Sequence, residues 1–453
     1  MFNLMRPGFS KPVLACVLFS ATVASAQVPE KSFTGPVQPN STLTIDRAVD
    51  IALQRNPELQ LALTRVEREQ GTLRHQSRLV PSNPELEFSL AERDPGGVES
   101  ASTDLEVSVA QEFWIGGQGG LRRRAAESQV ERARAMVRFF ELSIAARTRA
   151  KFLEWLVARD AVDTARRAVE VTKTIRDASS SRLEAGEATR IEVNTARVAL
   201  GRAQSALANA RSSVNRTRAE LASLMGIELP NALELEGALN PSPLQLPARA
   251  QLLNRVAQQR SDLAATVADV MTASEELKLS RRLLIPNLTV FGFYAEEEGD
   301  QIAGGGISMP IPLLHRFGGE RKQARADLEA AQIERDRLLL DIRLGMERAV
   351  SDYRTARARL DAVGEQMLRS AEENVELVFE AFQEGQIGIM AVAAAQESLL
   401  QSRVAYLDAQ NAFVQAALDL ERVSGGLLAV RDASAVRPDT SATETKQNQE
   451  KSQ

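Results

Sequence analysis

Gly119-Gly120-Leu121-Arg122 returns 199 residues later as Gly318-Gly319-Glu320-Arg321. The flanking chain keeps the same spacing. Gly186 in Glu184-Ala185-Gly186-Glu187 matches Gly385 in Gln383-Glu384-Gly385-Gln386, and Gly226 matches Gly425, both again at 199. Upstream, Gln54-Arg55 matches Gln259-Arg260 and Leu79-Val80-Pro81 matches Leu284-Ile285-Pro286, at an offset of 205. The six-residue change therefore falls in a loop between Pro81 and Gly119. A constant offset over more than a hundred residues is the mark of an internal duplication.

Each copy reads as helix, two strands, long helix, tight turn, helix. No proline occurs between Gly120 and Pro230, nor between Pro312 and Pro438. Residues 121–184 offer 64 helix-compatible positions, a rod of about 96 Å at 1.5 Å per residue. Residues 320–384 predict a matching rod, weakened by Gly345 and Gly364 at about 1 kcal/mol each. The returning helix has a 3-4 seam through Val193, Ala196, Leu200, Ala203, Leu207, Ala210, Val214, Thr217, Leu221 and Leu224. Its second copy runs Val392, Ala395, Leu399, Ser402, Tyr406, Ala409, Phe413, Ala416, Leu420 and Val423. Small residues at alternate seam positions indicate close coiled-coil packing. Two antiparallel hairpins are expected, over 121–226 and 320–425, with tips at Gly186 and Gly385.

The strand pairs follow a different period. In 85–92, Leu86, Phe88 and Leu90 alternate with Glu85, Glu87, Ser89 and Ala91; in 103–113, Leu105, Val107, Val109 and Phe113 alternate with Asp104, Glu106, Ser108, Ala110 and Glu112. Residues 302–313 place Ile307, Met309, Ile311 and Leu313 on one face, while 287–294 alternate less cleanly. Turn-rich polar loops are expected at 93–102 and 295–301. Ten-residue segments, apolar on one side and acidic on the other, fit transmembrane β-strands, with Trp114 at the interface. The competing reading is a half-buried hairpin in a soluble protein, and the export signal together with the long rods favours the membrane.

That signal is residues 1–26: Arg6 and Lys11, an apolar run from Val13 to Val23, then Ala24-Ser25-Ala26. Its order predicts a cleaved secretory peptide, the alternative being a disordered or anchoring N-terminus. Cleavage before Gln27 leaves 427 residues and no cysteine, since Cys16 lies inside the apolar run. The formal net charge of −5 over 453 residues gives no reason to expect a nucleic-acid partner. One cysteine and two histidines exclude a disulfide framework and a zinc knuckle. No cofactor or metal site is expected. Organisation is read as repeats at 27–247 and 248–430, with a polar disordered tail at 431–453.

Four strands cannot close a barrel, and an open edge in lipid leaves backbone groups unpaired. Two copies would give an eight-stranded barrel filled by side chains, three a twelve-stranded one wide enough to conduct. The expected fold is mainly α with a transmembrane β-barrel: a long periplasmic coiled-coil α-barrel, with four strands per protomer closed as a trimer.

Leu43-Thr44-Ile45-Asp46-Arg47-Ala48 with Asn56-Pro57, Gln259-Arg260-Ser261-Asp262-Leu263, and Arg182-Leu183-Glu184-Ala185-Gly186-Glu187-Ala188-Thr189 stand in an order that resembles the TolC-like outer-membrane efflux proteins. The resemblance covers about 41–430. Pro310-Ile311-Pro312-Leu313-Leu314-His315-Arg316-Phe317-Gly318-Gly319-Glu320 looks most like the branch serving heavy-metal pumps of the resistance-nodulation-division type. Membership implies a homotrimer in outer-membrane lipid, docked through a periplasmic adaptor (a membrane fusion protein) to an inner-membrane pump. It also implies that Arg182, Leu183 and Gly186, with Phe382, Gly385 and Ile387, form tips that receive the adaptor. The competing reading is that the glycines only end helices. Some members gate the aperture with paired aspartates at positions matching Ala391 and Ala394, and Glu397 is the nearest acidic substitute.

Glu85, Glu87, Asp104, Glu106 and Glu112, repeated around a trimer, would favour cations in the lumen, although acidic walls also serve solubility. Gly304-Gly305-Gly306 lacks the Lys-Ser/Thr of a phosphate loop. Arg122-Arg123-Arg124 reads as a solvated or headgroup-facing start to a helix. His315 could form a three-fold ring but reads first as a polar turn residue, and His75 as exposed. A passive duct for divalent metal efflux is the first reading, and the same duct for drugs or proteins the second. A periplasmic coiled-coil scaffold is the alternative from another class. No nucleophile–base pair supports an enzyme.

Overall fold

The computed structural model describes residues 42–93, 102–230, 233–237, 246, 249–297, 300–384 and 386–426. The expected signal peptide, the tail from 431, most of the 93–102 loop and Gly385 lie outside the described residues.

Strand β1 (Thr42–Thr44) leads into helices α1 (Ile45–Arg55) and α2 (Pro57–Gln76), then strands β2 (Glu85–Arg93) and β3 (Ser102–Phe113). The first hairpin is α3 (Gln118–Glu184) and α4 (Arg190–Met225). After β4 (Glu234–Glu236) the order repeats as α5 (Arg249–Gln259), α6 (Ser261–Arg282), β5 (Leu288–Glu297) and β6 (Asp300–Ser308). The second hairpin is α7 (Gly318–Val363), α8 (Glu365–Gln383) and α9 (Ile389–Val423). β1 and β4 form a short parallel pair, and β2-β3-β5-β6 an antiparallel sheet with β2 and β6 at its open edges.

α3 runs 67 residues without a break, about 100 Å at 1.5 Å per residue. Its partner begins with a capping box, Thr189 and Glu192 each satisfying the other's backbone N–H. The coiled-coil seam is real: no residue of either expected seam is fully exposed. Tyr353, Phe413, Leu420 and Met346 form one core at the base of the second hairpin. Phe152, Trp155, Leu156, Leu221 and Met225 form another at the base of the first.

Three expectations need correction. The second rod is not continuous, because Gly364 takes an extended conformation (ψ −179°) and separates α7 from α8. Gly345 is carried inside α7; glycine's missing side chain lowers the cost of an extended break and permits one without requiring it. The last strand stops at Ser308 rather than 313, since Pro310 and Pro312 have no N–H to give the ladder. Met309, Ile311 and Leu313 thus lie on an exposed connector. The loop expected at 295–301 is also shorter, with Glu297 and Asp300 already paired.

Candidate functional site: sheet wall and hairpin tips

Directly opposed residues of an antiparallel ladder share a face. Leu86 faces Val109, Phe88 faces Val107 and Leu90 faces Leu105. Val107 in turn faces Tyr294, Phe113 faces Leu288, and Val290 faces Ile307. One side of the sheet is therefore apolar, and Leu86, Phe88, Leu90, Val109, Val290 and Ile307 on it are exposed. The opposite side collects all five acidic residues expected there. Glu85 faces Ala110, Glu87 faces Ser108, Glu106 faces Ser89, Asp104 faces Ala91, and Glu112 faces Thr289. Asn287 donates to Glu112 at 2.8 Å, tying the start of β5 to the end of β3.

On β5 the acidic side also carries aromatic residues, with Glu297 and its β6 partner Asp300 continuing the acidic character at the far end. Phe291 faces Ala110 and Phe293 faces Ser108, so both aromatic residues share the acidic side. They are accommodated by the glycine triplet in β6. A Cβ on Gly304 would lie 2.6 Å from the Phe293 ring, and one on Gly306 2.8 Å from the Phe291 ring. The sequence reading missed this wall. The signal was the triplet itself, whose missing side chains leave room for a ring from the paired strand.

Trp114 turns toward the helices rather than outward, with its ring against Gly119 and 5.7 Å from the Arg122 guanidinium carbon. His315 lies exposed in the β6–α7 connector, 2.9 Å from Glu320, with its ring edge-on to Phe317. The Glu320 carboxyl is held below the usual range by its own backbone N–H and by His315. Among the described residues no group of three or more His, Cys, Asp or Glu could hold a metal ion. No described helix is long and apolar enough to cross a membrane.

At the other end of the rods the two hairpin tips meet. Gly186 has φ +80°, and Glu187 N–H closes the turn onto the Arg182 carbonyl at 2.8 Å. Arg182 stacks over Phe382 at 5.4 Å. Phe382 also packs, half-buried, against the cluster of Ile175, Ala196, Ile389 and Val392. Leu183 and Ile387 are half-buried at the same end. Glu397 stands on α9 beside α4, 4.0 Å from Arg202, with both side chains largely exposed. It lies at the tips, so the structure does not bring it together with the acidic sheet face. Ala391 and Ala394 precede it on α9, and Ala394 lines an apolar groove of about 660 Å³ between α3, α4 and α9.

Residues 48–227 and 252–426 match the outer membrane efflux protein family. The cobalt-zinc-cadmium resistance protein CzcC of Cupriavidus metallidurans is 26% identical over 426 residues, covering 93% of this chain and 100% of that one. The pyoverdine export outer membrane protein OpmQ of Pseudomonas putida is 23% identical, covering 84% and 86%. The outer membrane channel CmeC of Campylobacter jejuni superposes with a TM-score of 0.76 at 17% identity, covering 89% of this chain and 88% of that one. A duplicated sheet with an exposed apolar face, carried on two helical hairpins of which the first has a rod of about 100 Å, and a match across both repeats place the chain in the outer membrane efflux protein family.

Proposed function

We propose that this chain is the outer-membrane duct of a tripartite efflux system and that it passes divalent heavy-metal cations. The carrying observation is the two-sided sheet, apolar on one face and acidic on the other, with both edges open. Open edges in lipid require partner strands, and three protomers supply twelve, enough for a water-filled bore. The acidic side then lines the bore and concentrates cations. The full-length similarity to a cobalt-zinc-cadmium resistance protein supports the choice of cargo. The similarity to a pyoverdine exporter keeps an organic cargo as the competing reading.

The hairpin tips are the docking end in this reading. Arg182, Leu183, Gly186, Phe382, Gly385 and Ile387 would meet a periplasmic adaptor that links the duct to an inner-membrane pump. With alanine at 391 and 394, Glu397 and its Arg202 partner are the charged pair left to line the aperture.

The test is a deletion strain challenged with zinc, cobalt, cadmium, copper and nickel salts and with antibiotics. Loss of metal tolerance, restored by the gene, is expected. Antibiotic sensitivity with normal metal tolerance would transfer the duct to organic cargo. Detergent-extracted material should migrate as a heat-sensitive trimer, and a salt-extractable monomer would sink the duct.

A further inference from the structure

Just beyond the end of β3, where the sheet gives way to helices, a recess of about 400 Å³ opens between α3 and α6. Arg124, Lys278, Arg281 and Arg282 line it, beside Gly117. Glu275 accepts from Arg124 at 2.8 Å and from Lys278 at 2.6 Å. Burial opposes ionisation of Glu275, but the two cations outweigh it and hold its carboxyl below the usual range. Arg281 and Arg282 are exposed and have no ion-pair partner among the described residues. Two of the four cations thus hold one carboxylate, and the other two line the same recess without an ion pair among the described residues. α3 begins against the same recess with Gly117 at φ +73° and no side-chain cap, so unsatisfied N–H groups add positive potential there.

Phe113 stands on the apolar side of the sheet opposite Leu288, and the chain enters the recess three residues later at Gly116. Exposed Phe113, Ile115 and Leu284 adjoin the recess in sequence and continue the apolar face down to it. A basic pocket at the foot of an apolar wall matches the amphiphilic shape of one ligand class.

We propose that this recess binds the phosphate of an anionic phospholipid in the periplasmic leaflet, the acyl chains lying along Phe113, Ile115 and Leu284. Arg281 and Arg282 hold the phosphate, and Glu275 keeps Arg124 and Lys278 in place around it. The proposal rests on the outer-membrane location of the chain, which is tested separately by the need for detergent in extraction.

The experiment uses the full-length protein purified in detergent. Phosphatidylglycerol is added to the micelles, bound lipid is counted by native mass spectrometry, and melting is followed alongside. Phosphatidylglycerol should be retained and should raise the melting temperature, whereas inorganic phosphate at equal concentration should do neither. Retention should fall about tenfold in Arg281→Gln/Arg282→Gln and persist in Arg281→Lys/Arg282→Lys. Arg123→Gln, on a residue that pairs with Glu127, should leave it unchanged. Equal retention in the double glutamine variant, or an equal shift with inorganic phosphate, would overturn the site.

Discussion

The guanidinium carbon of Arg182 lies 5.4 Å from the centre of the Phe382 ring, so the first hairpin tip is stacked on the second. The two residues are matched neither in repeat position nor in chemistry, and the contact joins copies that otherwise lie side by side. A cation–π contact at a partly exposed site contributes about 0.5–1 kcal/mol. Phe382→Leu keeps an apolar side chain against the cluster that includes Ile175 and Val392 but removes the π face. Opening at the Gly186 turn should then rise about two- to fivefold, with little change in global melting. Hydrogen exchange of the Gly186 and Glu187 amides checks this, and unchanged protection would mean that the stack contributes nothing.

Gly304 and Gly306 are the floor on which Phe293 and Phe291 lie. A methyl group at either position overlaps a ring at under 3 Å and must push it off the wall, at a cost of about 1–3 kcal/mol. If that side of the sheet lines a bore, Gly304→Ala should lower single-channel conductance in a planar bilayer. Adding Phe293→Ala to it should restore conductance. An unchanged conductance in the single variant would place the rings outside the bore.

The rods, the seams and the acidic face were legible because each rests on a local rule: absence of proline, a 3-4 spacing, alternation of side chains. Leu86, Phe88 and Leu90 share a face in any strand that contains them. What escaped depended on partners distant in sequence. Nothing near Gly364 distinguishes it from Gly345, yet only Gly364 breaks the helix, since a glycine's cost is fixed locally and the outcome by packing. Phe291 and Phe293 looked like poor alternation because their faces could be assigned only through the register with β3. The stop at Ser308 was readable from Pro310 and Pro312, and the apolar pattern of 307–313 obscured it. Arg281 and Arg282 meet Arg124 only after α3 and α6 pack side by side, 157 residues apart for Arg281.

Gly226 ends α4 at φ +63°, and a Cβ there would stand 2.6 Å from the Arg55 carbonyl oxygen. The same junction is held by Asn56, which is buried, caps α2 and donates to the Leu224 carbonyl at 2.8 Å. Gly226→Ala meets both a left-handed backbone penalty of about 1–2 kcal/mol and a backbone overlap that a rotamer change cannot relieve. The variant should lose at least that much stability in chemical denaturation. A loss under about 0.5 kcal/mol, the scale of an ordinary surface change, would show that the junction shifts freely. The matched Gly425, at φ +69°, would meet the Arg260 Cγ at 3.1 Å and backbone only at 3.8 Å, so Gly425→Ala should cost less.

Glu276 sits in a groove of about 590 Å³ between α2, α3 and α6. Its side chain is still exposed at the groove's rim, but partial desolvation there raises its pKa above the ordinary carboxylate value, and the negative charge of Asp327 raises it further. A carboxyl whose folded pKa lies above its unfolded one binds its proton more tightly when folded, so its ionised form weakens the fold. That cost is present in full above the folded pKa and is relieved as pH falls through it. Glu276→Gln removes the charge while keeping the shape. The variant should be more stable than the parent at neutral pH, and the difference should shrink to nothing in acid, where the parent carboxyl is protonated. Asp327→Asn should give a smaller gain of the same sign, because it removes only the lesser cause. Denaturation midpoints for all three proteins from neutral to acid pH decide the matter. A glutamine variant no more stable than the parent at neutral pH would mean that Glu276 is solvated or paired.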